Sequence, residues 1–254
     1  ICILFSGYVN AQSWIYKFSK LKDTINSLEA FTTDTSVFSD VPAGGGTYSI
    51  RIGSAGGEVT FKKGNSKGEL QLYGSSNNFT NKFTVSDWNE ASPSFYIKCR
   101  IKTSSPSAAS FIIAIGKSTH NNIFRNDYCH TGGYGCCLAM LRIKYAEGGS
   151  NIIAERRNKD KFTAIANSQL VPDTYQYIEF YVNNTNNTKG YSHNEVYSLK
   201  KQCWDIWING VKISPEGGYK KSVSESDISL EPGELINGIA FFAENNGQNN
   251  ASLS

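Results

Sequence analysis

Glu225, Ser226 and Asp227 come nearest to a catalytic pattern in this sequence. Sandwich-fold glycoside hydrolases of the laminarinase type set Glu-x-Asp-x-Glu, or a version one residue longer, on a single strand. The nucleophile and the acid/base then flank one glycosidic bond, about 5 Å apart for retention. Here the next acid is Glu231, one position too far and directly before Pro232, and no apolar residues alternate through the segment. It reads as a surface loop. A sandwich-type polysaccharide lyase would pair its tyrosines with a Gln-x-His motif, and none accompanies the tyrosines of 175–181. His120, His130 and His193 lie in Asn-, Gly- or Ser-rich stretches without HExxH or His-x-x-His spacing. Glycine-rich 53–57 has no lysine and no following helical pattern, so it is a turn and cradles no phosphate. No complete catalytic motif is present, so the chain is read as non-catalytic, with a sandwich-fold glycoside hydrolase or polysaccharide lyase as an alternative.

Six cysteines are the other reactive groups: Cys2, Cys99, Cys129, Cys136, Cys137 and Cys203. In an oxidising compartment Cys203 is a candidate partner for Cys99. Cys129 with Cys136 or Cys137 would close a small loop around His130. The competing reading is a metal site built from Cys129, His130, Cys136 and Cys137. Adjacent cysteines serve one tetrahedral zinc poorly, and the usual two-residue spacer is missing. No cofactor is expected, and calcium dependence is not written in the sequence. Glycosylation sequons occur at Asn78, Asn183, Asn186 and Asn250.

The elements that would carry any site are strands. Candidates run over 47–52, 58–62, 69–73, 82–85, 94–102, 110–115, 137–145, 151–156, 162–166, 175–183, 204–213 and 238–244. Turn residues separate nearly all of them. Asn209-Gly210 is the strongest hairpin signal, because both central positions of a type I′ turn need positive φ. The stretches around 53–57 likewise read as strand, turn, strand. Residues 14–30 are ambiguous between a strand with a loop and a short helix. About a dozen short strands without a long helical period predict an all-β, two-sheet antiparallel β-sandwich.

Period-2 alternation then assigns faces. Phe95, Ile97, Cys99 and Ile101 point to one side; Tyr96, Lys98, Arg100 and Lys102 to the other. The same separation sets Ala139, Leu141, Ile143 and Tyr145 against Met140, Arg142 and Lys144. Ile178, Phe180 and Val182 oppose Tyr177, Glu179 and Tyr181, while Trp204, Ile206 and Ile208 oppose Asp205 and Trp207. Rings flanked by charged hydrogen-bonding groups suit sugars, which offer apolar faces and hydroxyls. Tyr177, Glu179, Tyr181, Asp205, Trp207, Arg100 and Arg142 are therefore the candidate glycan-binding residues. The competing reading is that Tyr and Trp are simply good strand formers.

The chain has 254 residues, 39% apolar, with a net charge of +3. That balance, with no basic stripe interleaved by aromatics, argues against a nucleic-acid partner. Residues 1–11 carry no charge and end Val9-Asn10-Ala11, which suits the end of a partial signal peptide; the alternative is a buried N-terminal strand. Secretion or display at the cell surface is the expectation. No other segment is long and apolar enough to span a membrane. Residues 12–40 read as an N-terminal segment of one domain whose body is 41–254. The alternating 251–254 looks like a strand cut short.

Four pieces in order, GTYSIRIGSAGGEVTF, SFYIKCRIK, YQYIEFYVNNT and WDIWINGVKI, resemble an N-terminal module of secreted Bacteroidetes-type surface proteins. The matching features are Arg51-Ile52-Gly53-Ser54-Ala55-Gly56-Gly57, the tyrosine strand ending Asn183-Asn184-Thr185, and Trp207-Ile208-Asn209-Gly210. The cysteine-bearing stretch 129–137 departs from the pattern. The resemblance implies a concanavalin A/laminin G-like jelly roll attached to a larger secreted protein. It further implies a carbohydrate-binding or adhesive role, or a structural spacer packed on neighbouring domains.

Overall fold

The structure, a computed structural model, describes residues 3–6, 14–16, 23–25, 46–52, 59–62, 69–74, 80–88, 91–105, 107–118, 124, 136–146, 152–159, 161–222, 230–245 and 252–254. In chain order the strands are β1 (Ile3–Ser6), β2 (Trp14–Tyr16), β3 (Asp23–Ile25), β4 (Thr47–Arg51), β5 (Val59–Lys62), β6 (Glu69–Tyr73) and β7 (Thr80–Ser86). Then follow β8 (Ser94–Ile101), β9 (Thr103–Ser104), β10 (Ala109–Gly116), β11 (Cys137–Tyr145), β12 (Ile152–Asn158), β13 (Lys161–Ala164) and β14 (Gln176–Asn183). The last are β15 (Lys189–His193), β16 (Glu195–Leu199), β17 (Cys203–Ile208), β18 (Val211–Lys212), β19 (Tyr219–Lys220), β20 (Gly238–Asn245) and β21 (Ser252–Leu253). No α-helix occurs among the described residues.

Two sheets carry the architecture. One runs β18-β17-β14-β8-β1-β2, with β19 also on β17; the other runs β13-β12-β11-β10-β20. The β4–β7 pair lies against β20 and extends the second layer. A further sheet, β3-β5-β6-β21-β9, and the hairpin β15–β16 complete the fold. Pairing between these strands is antiparallel throughout. The chain is thus an all-β, jelly-roll-like sandwich, as the strand pattern predicts, with more than two sheets.

Alternation explains the core. Phe95, Ile97, Cys99, Ile101, Ile178, Phe180, Val182, Trp204, Ile206 and Ile208 from the first sheet share one buried cluster with the second sheet. The latter contributes Phe111, Ile113, Ile115, Leu141, Ile143, Tyr145 and Phe241. The long strands β8, β10, β11, β14 and β17 give alternate residues to this interior, at roughly 25 cal/mol per Å² of apolar surface removed from water. Asn209 (φ 50°) and Gly210 (φ 78°) take the left-handed turn conformation between β17 and β18, as expected. Residues 14–30 include two strands, β2 and β3, and Ser252–Leu253 pairs with both β6 and β9.

Two expectations need correction. Residues 53–57 lie outside the described residues, but they do not join a hairpin: β4 pairs with β7, and β5 with β3 and β6. Glycine clusters mark where strands stop, and long-range burial decides their partners. The second correction is the disulfides. Cys99 is paired with Ile178 of β14 and Cys203 with Asn183, five positions along the same strand, or roughly 16 Å. Cys99 also faces the main core and Cys203 the opposite side. A disulfide needs Cα atoms within about 7 Å. Cys99, Cys136, Cys137 and Cys203 are all buried thiols; Cys129 and His130 lie outside the described residues. Burial, then the hydrogen bond with Cys136, pushes the Cys137 thiol well above its ordinary range, which leaves it inert.

Candidate functional site

The register of β17, β14 and β8 sets the predicted residues in three cross-strand rows. Tyr181 lies between Tyr96 and Asp205, Glu179 lies between Lys98 and Trp207, and Tyr177 pairs with Arg100. Opposed residues have Cβ atoms only about 5 Å apart, so each row is one contact set. Tyr177, Glu179, Tyr181, Asp205, Trp207 and Arg100 therefore share the outer face of one sheet. Arg142 does not join them. It sits on β11 of the other sheet, with its Nε 2.5 Å from Glu155 Oε2 and its guanidinium 3.8 Å from the Phe162 ring centroid.

Most of this face is covered. The hairpin β15–β16, which the sequence reading left unassigned, lies over it: Tyr191 and Leu199 share one buried cluster with Tyr181 and Trp207, and the partly buried Tyr197 packs against it. Its tip is Asn194, at φ 62°, between the paired His193 and Glu195. Tyr191 stacks on Tyr181 with centroids 3.9 Å apart, and His193 stacks on Trp207 at 3.8 Å. Alternation of Tyr191, His193, Tyr197 and Leu199 about an asparagine was the available signal for this hairpin. Asn and Ser around it made the stretch look like loop.

Beneath the hairpin every carboxylate is engaged. Asp205 is fully buried; Tyr191 Oη donates to it at 2.5 Å and Ser214 Oγ at 2.6 Å, while Lys212 Nζ lies 3.2 Å away. Trp207 Nε1 donates to Tyr191 Oη at 3.1 Å. Glu179, also buried, accepts from Tyr96 Oη and from Lys98 Nζ at 3.4 Å, and His193 Nε2 lies 3.6 Å away. Buried charge survives only when paired and hydrogen-bonded, and both acids meet that condition. Glu179, Tyr181, Asp205 and Trp207 form a closed bed under the hairpin.

The open end of the face is different. Tyr177 is 45% exposed, and Lys98 Nζ lies 4.8 Å from its ring centroid. Arg100 packs its guanidinium 3.9 Å from the Tyr175 ring, and Lys102 Nζ lies 5.1 Å from the same ring. Tyr175 Oη donates to Glu69. The Tyr177 backbone is pinned on both sides: its N–H donates to Asn209 Oδ1 at 3.0 Å and its carbonyl accepts from the Asn209 N–H at 2.9 Å.

Burial followed by hydrogen bonding to Glu179 raises the Tyr96 phenol far above its usual range, and burial then Asp205 does the same for Tyr191. Burial dominates at Tyr181, while Tyr175 is pushed up to about 12 by burial and Glu69. Unfolded tyrosines titrate near pH 10. These phenols hold their protons more tightly when folded, so the stability they add is complete below about pH 10 and declines as pH rises beyond it. Alkaline titration is expected to show tyrosinate absorbance rising together with loss of ellipticity; smooth ionisation of an intact fold would contradict this.

Among the described residues, no group of three or more His, Cys, Asp or Glu could hold a metal ion. No helix among them is long and apolar enough to cross a membrane. Glu225, Asp227 and His120 lie outside the described residues, as do the sequons at Asn78 and Asn250. Asn183 is wholly buried, and its Nδ2 faces the carbonyls of Asn187, Leu199 and Lys200 at 2.9–3.0 Å, so the folded chain cannot present it for glycosylation. Asn186 is exposed.

No protein-family model matches the chain, and no curated protein matches it. Among solved structures, a chain described as a sialidase aligns with a TM-score of 0.49 and 9% identity, over 97% of this chain. The alignment spans only 18% of that chain's length.

Proposed function

We propose that the chain is a non-catalytic, extracellular carbohydrate-binding or adhesion module of a larger secreted or surface protein. The observation that supports this is the half-exposed Tyr177 ring beside Lys98 and Arg100. A tyrosine offers an apolar face with a polar edge, and the two cations donate hydrogen bonds to hydroxyls or carboxylates. The register and the Asn209 bonds fix the backbone beneath this rim, so no backbone ordering opposes binding. Neighbouring domains of the full-length protein are the second class of partner. The burial of Glu179, Tyr181, Asp205 and Trp207 favours a structural role for those four residues, and a pure spacer is the competing reading.

Tyr177→Ala should weaken binding of whichever polysaccharide the parent chain retains on a glycan array about tenfold, since a buried aromatic anchor at an interface is worth more than 1 kcal/mol. The thermal midpoint should hardly move, because the ring packs half in solvent. A parent chain that retains no glycan, or a variant that binds as well as the parent, would sink the reading.

A further inference from the structure

Two cations on the outer face of β8 meet no acid. Arg100 stacks its guanidinium 3.9 Å from the Tyr175 ring centroid, and Lys102 Nζ lies 5.1 Å from the same centroid. Among the described residues neither cation makes an ion pair, and the Arg100 guanidinium makes no hydrogen bond. The acids of the neighbouring elements are engaged or set apart. Glu69 takes the Tyr175 hydroxyl, Glu179 takes Lys98 at 3.4 Å, and Asp173, in the loop before Tyr175, pairs with neither cation. Lys98 is thus compensated, while Arg100 and Lys102 stand open.

Several bonds brace this end of the face. Gln176 Oε1 accepts from the Val171 N–H at 3.0 Å, and its Nε2 donates to the Val171 carbonyl at 2.9 Å, which closes the loop that carries Tyr175. The Asp173 N–H donates to the Thr103 carbonyl at 3.0 Å and ties that loop to β9. Lys102 exchanges both backbone bonds with Ser254, at 2.7 and 2.8 Å. Tyr175 is held at its hydroxyl by Glu69 of β6 and carries both cations on its ring. Stacking occupies the flat face of a guanidinium and leaves its N–H edges free, the edges that grip a carboxylate with two parallel bonds. Two like charges gathered at one ring repel each other. An anion between them turns that repulsion into attraction.

We infer that the rim from Tyr177 to Tyr175 binds acidic polysaccharide, with Arg100 and Lys102 taking the carboxylates of uronic-acid units; the inference rests on the carbohydrate-binding reading above. Lys98, Arg100 and Lys102 follow one another at every second residue of β8, roughly 7 Å apart. Tyr177 is 45% exposed and faces Arg100 across the strand pair, where opposed side chains stand about 5 Å apart. A sugar packed on the Tyr177 ring therefore sets its substituents beside the Arg100 fork, and the polymer runs on along β8 towards Lys102. A neutral polymer leaves both cations without an anion, so the acidic one is preferred.

The test uses the whole chain with alginate, polygalacturonate and hyaluronan, each beside its carboxyl-reduced form, in which neutral hydroxymethyl groups replace the carboxylates. At low salt at least one acid form is expected to bind about tenfold more tightly than its reduced form, the scale of one charge-assisted hydrogen bond. Added salt should shrink that margin. Arg100→Gln and Lys102→Gln should each cut the acid-over-neutral ratio about fivefold, and Arg100→Lys, which keeps the charge but loses the fork, by less. Poly-L-glutamate, an anion without sugar rings, should compete about tenfold more weakly than the acidic polysaccharide; equal competition would overturn the inference. Lys161→Gln removes the same charge from an exposed position on β13 of the other sheet and should leave the ratio unchanged. An equal loss there would make the preference a matter of overall charge, which also overturns it. Acid and reduced forms that bind alike, or retention of neutral glycans only, overturn it while the carbohydrate-binding reading stands. A chain that retains no glycan of either kind brings down both.

Discussion

Asp205→Ala is expected to lose about 3 kcal/mol of stability and to release the hairpin β15–β16 from its sheet. The carboxylate is fully buried and receives Tyr191 Oη, Ser214 Oγ and the Lys212 ammonium. Removing one partner of a buried ion pair costs about 3–5 kcal/mol, because the other partners are left without compensation. Lys212 keeps a contact to the Pro215 carbonyl at 2.9 Å, which places the loss at the lower end. Tyr191 has no such refuge: its hydroxyl also takes the Trp207 indole N–H, so one deletion disturbs the whole stack. Urea unfolding gives the loss, and hydrogen exchange of amides 189–199 locates it. Asp205→Asn should cost less, since its single amide oxygen still accepts from one of the two hydroxyls, which reach separate oxygens of the carboxylate. Unchanged hairpin protection in the alanine variant would contradict the latch.

Gly116→Ala should be nearly as damaging, with a loss of about 3 kcal/mol, the upper end for overpacking. The register between β10 and β11 shifts at Ile115 and Gly116, bringing the Cys136 backbone against Gly116. An added Cβ there would overlap the Cys136 carbonyl oxygen and lie 2.9 Å from both its carbonyl carbon and Cys137 Cα. Backbone cannot swing aside as a side-chain end does. Separating the strands would also disturb Lys117, whose N–H donates to the Cys136 carbonyl at 2.9 Å, and Asn237, whose N–H donates to the Gly116 carbonyl at 3.1 Å. A variant with the parent's thermal midpoint would show that the bulge relaxes freely.

Much of the fold was legible because burial writes a period of 2 into strands. The stretches 69–73 and 137–145 match β6 and β11 end to end, and the inward residues of β8, β11, β14 and β17 all join the core. Asn209-Gly210 was equally readable, since positive φ at two successive residues leaves few alternatives. The site was only half legible. Alternation told which side Trp207, Tyr181 and Asp205 point to, but not what lies on top of them. A hairpin of Tyr, Ser, His and Asn resembles a loop until its rings are seen stacked against another strand.

The amino-acid sequence on its own determined that this chain is all-β, which residues line the interior, and that its polar strand faces are aromatic and charged. These are local properties, set by neighbours two positions apart. Tertiary structure alone decided that β4 and β5 part into different sheets, that Cys99 and Cys203 stand on opposite faces, and that Glu179 and Asp205 are buried acids. It also left Tyr177 as the exposed ring of the predicted set and brought Glu69, Arg100 and Tyr175 to one rim. Such juxtapositions join residues dozens to more than a hundred positions apart, and long-range packing, not local pattern, chooses them.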